Sequence, residues 1–187
     1  MKRALIVYRE KDIQELKPIL PLANYQVLAK TENGIDGLKL AQRLEPDLII
    51  TGWDIKGLAP YDFLQNIVDS RICPVLLILD QKDQHNLSSA LKTNVQSIIC
   101  VPIRAVDIVT GIIQAEYRFL NERENADQIR KLNDEIKTRK ILFQAILMMI
   151  PMGYDEEKAY AAIRKKAMST RKTIRSVAID VIKGAEI

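Results

Sequence analysis

The chain is poor in the residues from which metal and nucleophilic centres are built. It has 1 histidine, His85, and 2 cysteines, Cys73 and Cys100, in 187 residues. No CxxC or HxxxH spacing occurs, so a zinc site has no ligand set to draw on. Two cysteines are too few for a disulfide framework. Each lies at the end of an apolar run, as small buried hydrophobes in a reducing compartment do. Long hydrophobic runs are missing as well, and none approaches the roughly 18 residues of a membrane span. The apolar run Ala4–Val7 near the start is too short for the core of a signal peptide, and the expectation is a cytoplasmic protein. No Ser-His-Asp set, acid pair or phosphate-binding glycine loop is visible, and Gly34 and Gly37 read as residues that open a helix. An enzyme is not expected, and neither is a cofactor or a bound metal.

What is present is an ordinary globular balance, 48% hydrophobic and 28% charged, which argues against disorder. The length suits one medium domain with a smaller appendage. The net charge of +4 is unevenly placed. Residues 1–116 hold 13 Lys+Arg against 14 Asp+Glu, whereas residues 117–187 hold 15 against 10, and within them 163–187 hold 7 against 2. A near-neutral body with a basic end suggests a polyanionic partner there, with a solvated helix face as the bland alternative.

The first part alternates between two periods. Ala4–Val7, Tyr25–Ala29, Leu48–Ile50, Pro74–Leu79 and Ser97–Val101 read as strands, and PVLLIL is apolar throughout, as a strand covered on both faces should be. Between them Asp12–Leu20 (interrupted by Pro18), Asn33–Leu44, Tyr61–Val68 and Leu87–Lys92 read as helices, and Ile35, Leu38 and Ala41 are expected to face inward in the second. Five strands alternating with helices predict an α/β domain, a doubly wound five-stranded parallel sheet.

A helix opens at Ala105 and has no stop before Ile150: the stretch lacks proline and has Gly111 as its only glycine. Ile112, Ala115, Phe119, Ala126 and Ile129 follow heptad spacing, and Leu132, Ile136, Phe143 and Ile150 continue it after a phase shift. Glu122 places a polar residue in the seam. Such a stripe needs cover, either from a second copy in a coiled-coil dimer or from packing within the chain, and the dimer is the more economical expectation. Its seam would comprise Ile112, Ala115, Phe119, Ala126, Ile129, Leu132 and Ile136.

Pro151-Met152-Gly153 ends that helix. Asp155-Glu156-Glu157 is an acidic first turn suited to a new helix N-terminus. In this helix Ala159, Tyr160, Ile163 and Ala167 are expected to form the apolar face, with Arg164-Lys165-Lys166 as a basic flank. Ile174, Val177, Ala178, Val181 and Ile182 mark a last amphipathic helix. With the end of the long helix these make a minimal three-helix bundle.

Two family patterns are carried by these segments. Thr31-Glu32-Asn33-Gly34-Ile35-Asp36-Gly37-Leu38, Pro46-Asp47-Leu48-Ile49-Ile50, Pro74-Val75-Leu76-Leu77 and Val101-Pro102-Ile103 resemble, in their order, a response-regulator receiver domain over residues 1–116. Leu147-Met148-Met149, Gly153-Tyr154-Asp155-Glu156-Glu157-Lys158-Ala159-Tyr160, Ile163-Arg164, Ala167-Met168-Ser169-Thr170 and Val177-Ala178 resemble the ANTAR domain, an RNA-binding three-helix module of antiterminators, over 138–187. Residues 117–137 are then a coiled-coil linker. The combination is most similar to antiterminators of aliphatic amidase operons, in which a ligand-sensing protein holds a degenerate receiver-like domain.

The departures from the patterns matter as much as the matches. In a working receiver, paired acids hold Mg²⁺ and an aspartate accepts the phosphoryl group. Here the acid pair falls on Tyr8-Arg9, leaving Glu10, and the acceptor position falls on Gly52. Asp54, two residues on, is expected to point away from the pocket, and the hydroxyl and lysine positions fall on Leu79 and Val101. Mg²⁺ needs hard oxygen ligands and phosphoryl transfer needs a nucleophilic oxygen, so a pseudo-receiver is expected. In the ANTAR part, the family's Ala-Lys-Gly run falls on Gln144, Ala145 and Ile146, and its arginine on Thr138 beside Arg139. One expected cation is therefore missing.

The resemblance implies a dimer that is held by a regulatory partner, released by a small molecule, and then binds hairpins in a leader transcript so that a terminator cannot form. Arg164, Lys165, Lys166, Arg171, Lys172 and Arg175 are the candidate RNA-binding residues, since phosphate neutralisation is the base of such affinity. Ser169 and Thr170 offer hydroxyls. Tyr160 is read as core and Thr173 as a helix cap. A DNA-binding response regulator is a rival, although a recognition helix should expose Asn, Gln or Arg and the last helix offers only Arg171 and Arg175. A protein-interaction adaptor with a merely solvated basic face is the other.

Overall fold

The computed structural model describes residues 1–80 and 84–184, except the side chains of Gln84 and His85, and the histidine side chain thus lies outside what is described. The chain divides into two compact units, Met1–Arg123 and Glu124–Ile187.

The first unit is a five-stranded, wholly parallel sheet in the order β2-β1-β3-β4-β5. Its strands are β1 (Lys2–Val7), β2 (Tyr25–Thr31), β3 (Leu48–Gly52), β4 (Val75–Leu79) and β5 (Ser97–Cys100). The helices between them are α1 (Glu10–Leu16), α2 (Gly34–Leu44), α3 (Pro60–Ser70) and α4 (Gln84–Lys92), followed by α5 (Ala105–Met149). Strand alternation sorts the core into two layers. Ala4, Ile6, Leu48, Ile50, Leu76 and Ile78 pack with Ile13, Leu16, Ile108 and Ile112 on one face. Leu5, Val7, Ile49, Leu77 and Leu79 pack with Ala41, Phe63, Leu64, Ile67 and Ala90 on the other. The three inner strands are covered on both sides, which is why their sequences are nearly all aliphatic.

Local chemistry explains the helix ends. Pro18 stands just past α1, which stops at Leu16, and a 3-10 turn (Leu20–Ala23) follows. The Asn33 side chain accepts from the Ile35 and Asp36 N–H groups at 2.9 and 3.3 Å and so opens α2. Ile35, expected to face inward, is exposed; Gly34, Gly37 and Ala41 are the buried positions. A Cβ on Gly37 would stand 2.9 Å from Val7 and 3.1 Å from Phe63, so the glycine permits α2 to lie close on the sheet. That contact takes the inward face which the apolar count had given to Ile35.

Helix α5 is one continuous element of 45 residues. Its first turns pass so close to the sheet that a Cβ on Gly111 would meet Ile99 and Leu76 at 3.0 Å. Ile112, Ala115 and Phe119 are buried within this first unit. They are consequently not available as a dimer seam, because the sheet has already covered that part of the heptad stripe. Glu122 likewise accepts a hydrogen bond from Gln96 at 2.9 Å. Ala126 is half-buried, and Ile129, Leu132 and Ile136 are exposed.

The second unit is a small helical bundle: the end of α5, then α6 (Glu156–Thr170) and α7 (Ile174–Ile182). Ala145 and Met149 of α5, Ala159, Ile163 and Ala167 of α6, and Val177, Ala178 and Val181 of α7 form its core. Asp155 caps α6 by accepting from the Lys158 N–H at 2.7 Å. Thr173 caps α7 by accepting from the Ser176 N–H at 3.1 Å. Among the described residues, no helix is long and apolar enough to cross a membrane.

Candidate functional site

In the second unit, the core row of α6 is Ala159-Ile163-Ala167, at four-residue spacing. One helical step round lie two further rows, Tyr160-Arg164-Met168 and Ala161-Lys165-Ser169. These six residues line a shallow hollow of about 560 Å³. Tyr160, read from the sequence as core, is 40% exposed and Met168 is 72% exposed. The ring stays outside because residue 160 lies one helical step, about 100° by the 3.6-residue period, from the buried row Ala159-Ile163-Ala167. The hollow therefore combines an aromatic face, a thioether and two cations.

The remaining cations follow from how α6 ends. Arg171 takes a left-handed backbone, φ 53°, and the Lys172 N–H bonds back to the Ala167 carbonyl at 3.0 Å. This is a helix-terminating turn usually made by glycine. It places Arg171 and Lys172 at the carbonyl end of α6, where positive charge is favoured by the helix dipole. Lys172 is also paired to Asp180 of α7 at 2.9 Å, and this ammonium holds the Asp180 carboxyl below its ordinary value. Arg164, Lys165 and Arg171 are exposed, Lys166 and Arg175 half-buried. Among the described residues no ion pair is found for Arg164, Lys165, Arg171 or Arg175. Ser169 and Thr170 donate back to the Lys166 carbonyl at 3.1 and 2.6 Å, so their hydroxyl protons are already engaged. Gln144 is exposed and Ala145 fully buried, so the position at which the ANTAR resemblance expects a lysine is a core position here.

In the first unit, a second site lies at the carboxyl ends of β1, β3 and β4, where ligand crevices of open parallel sheets form. The position expected for a phosphoacceptor is Gly52. A Cβ there would collide with Cε2 and Cδ2 of the Tyr8 ring, and even Cζ would stand at 2.8 Å. Tyr8 is 2% exposed and packs with Ile6, Ile13 and Ile78. Burial raises its hydroxyl pKa, with Asp12 adding to the effect. The Arg9 guanidinium is held on three sides: Nε donates to Asp12, one terminal nitrogen to Asp54 at 3.3 Å, and the other to the Tyr8 hydroxyl at 3.5 Å. Asp54, expected to point away from this pocket, lines it. Its salt bridge to Arg9 turns it back toward β1, a contact that strand periodicity cannot reveal. Leu79 closes the end of β4 in the core, and Val101 is half-buried. Among the described residues no group of three or more His, Cys, Asp or Glu is arranged to hold a metal ion.

Residues 130–182 match the ANTAR domain family. The chain is 24% identical over 179 residues to the transcriptional regulatory protein PdtaR of Mycobacterium tuberculosis, in strains CDC 1551 and H37Rv, covering 95% of this chain and 87% of that protein. The first unit has the fold of solved receiver domains. That of a modulated diguanylate cyclase from Desulfovibrio desulfuricans superposes with a TM-score of 0.58 at 20% identity, covering 65% of this chain and 98% of that one. A CheY-like receiver from Methanospirillum hungatei gives 0.57 at 18%, with the same coverage. The chain thus joins a CheY-like receiver fold to a segment, residues 130–182, that matches the ANTAR domain family.

Proposed function

We propose that the protein is a transcription antitermination regulator that binds hairpins in leader RNA through its ANTAR domain. The observation that carries the reading is the outward face of α6, where Arg164 and Lys165 flank an exposed Tyr160. Phosphate contacts from Arg164, Lys165, Lys166, Arg171, Lys172 and Arg175 supply affinity, and an unpaired loop base stacked on a ring supplies part of the selectivity. The protein acts by binding in the cytoplasm, where leader transcripts are made, and not as an enzyme.

Control runs through a receiver that takes no phosphate. Gly52 has no nucleophilic oxygen, Tyr8 occupies the neighbouring space, and Asp54 is tied to Arg9. A regulatory protein or ligand replaces phosphorylation as the input. Ile129, Leu132 and Ile136, all exposed, pair with a second copy along the linker. Two ANTAR domains on one dimer would favour paired hairpins by effective concentration.

The test is a gel shift with the upstream leader RNA, wild type against Arg164→Glu/Lys165→Glu/Lys166→Glu. With about four phosphates engaged, a slope near −3 in log affinity against log salt is expected for loop RNA, roughly a 60-fold loss between 50 and 200 mM salt. The triple variant should show no specific shift. Unchanged binding refutes the assignment, and equal affinity for duplex DNA at the same salt would return the DNA-binding alternative.

A further inference from the structure

Within the second unit, helix α5 is apolar on two opposite sides. Ala145 and Met149 enter the core with residues of α6 and α7, while Phe143, Leu147 and Ile150 stay 56%, 45% and 42% exposed. These three continue the linker stripe: Ile129, Ile136, Phe143 and Ile150 recur every seventh residue, and Leu132 and Leu147 flank them. Seven residues make about two helical turns, so all six side chains lie along one seam. We propose that a second copy of the chain covers this seam, in a parallel, in-register pair that runs through the ANTAR domain to Ile150. The proposal rests on the linker pairing given above and extends it from one heptad to three.

Three features select that occupant. The first is length. Ile129 to Ile136 spans a single heptad, whereas Ile129 to Ile150 spans three, roughly 30 Å of helix and about the length at which a heptad pattern sustains a coiled coil. The second is charge. With Ile129, Ile136, Phe143 and Ile150 at the a positions, Glu135 falls at g and Lys140 at the e position of the next heptad, and these two positions meet across a parallel pair. Both residues are exposed, and among the described residues neither makes an ion pair. Five residues apart, they lie on different sides of one helix and cannot satisfy each other within a chain. Two-fold symmetry would form the bridge twice. An antiparallel pair sets e against e and g against g, which keeps Glu135 from Lys140. The third is that half-buried Leu142 and exposed Leu147 repeat the g-to-e relation one heptad later with apolar side chains, where the helix enters the bundle. Arg139 takes a seam position between these heptads, at a cost in affinity; its stem covers apolar surface while the guanidinium stays in water. A pair closed as far as Ile150 makes the two three-helix bundles one body and holds the two α6 faces at a fixed separation.

The full-length protein is tested without RNA, as Cys100→Ser with the buried Cys73 left in place. One cysteine is then added by Ile136→Cys, by Phe143→Cys or, off the seam, by Gln144→Cys, and copper phenanthroline is the oxidant. Like residues approach within disulfide reach along the seam only in a parallel, in-register pair, so Ile136→Cys and Phe143→Cys should cross-link chain to chain, and Gln144→Cys about tenfold more slowly. In sedimentation equilibrium, Glu135→Lys and Lys140→Glu should each weaken the dimer about tenfold, since two attractions become two repulsions. Glu135→Lys/Lys140→Glu should recover wild-type affinity to within about twofold, with the helix signal by circular dichroism unchanged throughout. Cross-linking of Ile136→Cys but not of Phe143→Cys leaves the linker pairing standing and overturns this proposal, and cross-linking of neither overturns both. A double variant no tighter than the singles overturns the parallel alignment. Leader RNA enters none of these readouts, so the antitermination reading is judged separately.

Discussion

Gly52 and Tyr8 should behave as one packing unit. Alanine at position 52 adds a single methyl group, but its Cβ would overlap two atoms of the Tyr8 ring and stand 2.8 Å from a third. The ring has no easy exit, since it is 2% exposed and wedged among Ile6, Ile13 and Ile78. Overpacking of this kind costs about 1–3 kcal/mol, and a collision with a rigid ring belongs at the upper end. Tyr8→Ala removes a buried aromatic and should cost about 3 kcal/mol, the low end for such truncations because the ring borders a cavity. Independent effects would sum to about 6 kcal/mol in the double variant. Once the ring is gone the new methyl group has room, so Gly52→Ala/Tyr8→Ala should cost only about 3 kcal/mol, a coupling of about 3 kcal/mol. Urea titration followed by Trp53 emission reads the first unit alone. With an m-value of roughly 1.5 kcal/mol/M, each single variant should lower the midpoint by about 2 M, and the double variant by no more than either. Additive losses, or a Gly52→Ala midpoint within about 0.3 M of wild type, would refute the account.

Arg171→Gly should stabilise the ANTAR bundle by about 1 kcal/mol, because glycine accepts the left-handed turn without strain. The same variant should weaken leader-RNA binding in a filter assay, separating the backbone role of Arg171 from its charge. Asp180→Asn should free Lys172 and tighten RNA binding about two- to fivefold at low salt. Since Lys172 lowers the Asp180 pKa, the pair persists as pH falls and is lost only below the ordinary aspartate range, so affinity should be flat between about pH 6 and 8. Burial pushes the Cys73 thiol up to about 12, whereas Cys100 is exposed, so a disulfide reagent at pH 8 should modify one thiol per chain quickly, and cysteine substitution should identify it as Cys100. Leu132→Glu/Ile136→Glu should convert a dimer to a monomer by sedimentation equilibrium without loss of helix signal, whereas Ile112→Glu should unfold the first unit.

Much of this was legible in the chain itself. Two-residue and 3.6-residue periods, with the aliphatic run at Pro74–Leu79, are enough to specify a parallel sheet between helices. They work because a strand covered on both faces has no polar position to spare. The absence of proline between Ala105 and Ile150 likewise announced the long helix, and the acidic turn at Asp155 announced the start of α6. The basic cluster was equally plain, since charge needs no fold to be counted.

Only the folded chain decided which side of each stripe was already taken. Ile112, Ala115 and Phe119 repeat like a coiled-coil seam, yet the sheet buries them. Tyr160 is three residues before Ile163, yet the bundle buries the row Ala159-Ile163-Ala167 and leaves the ring one step round, facing outward. Asp54 is read as facing away, yet an arginine that follows another strand draws it into the pocket. The physical reason is common to all three. Periodicity states that a face must be covered or a charge satisfied, which is a local property, while the group that does so comes from residues tens of positions away and is chosen by packing.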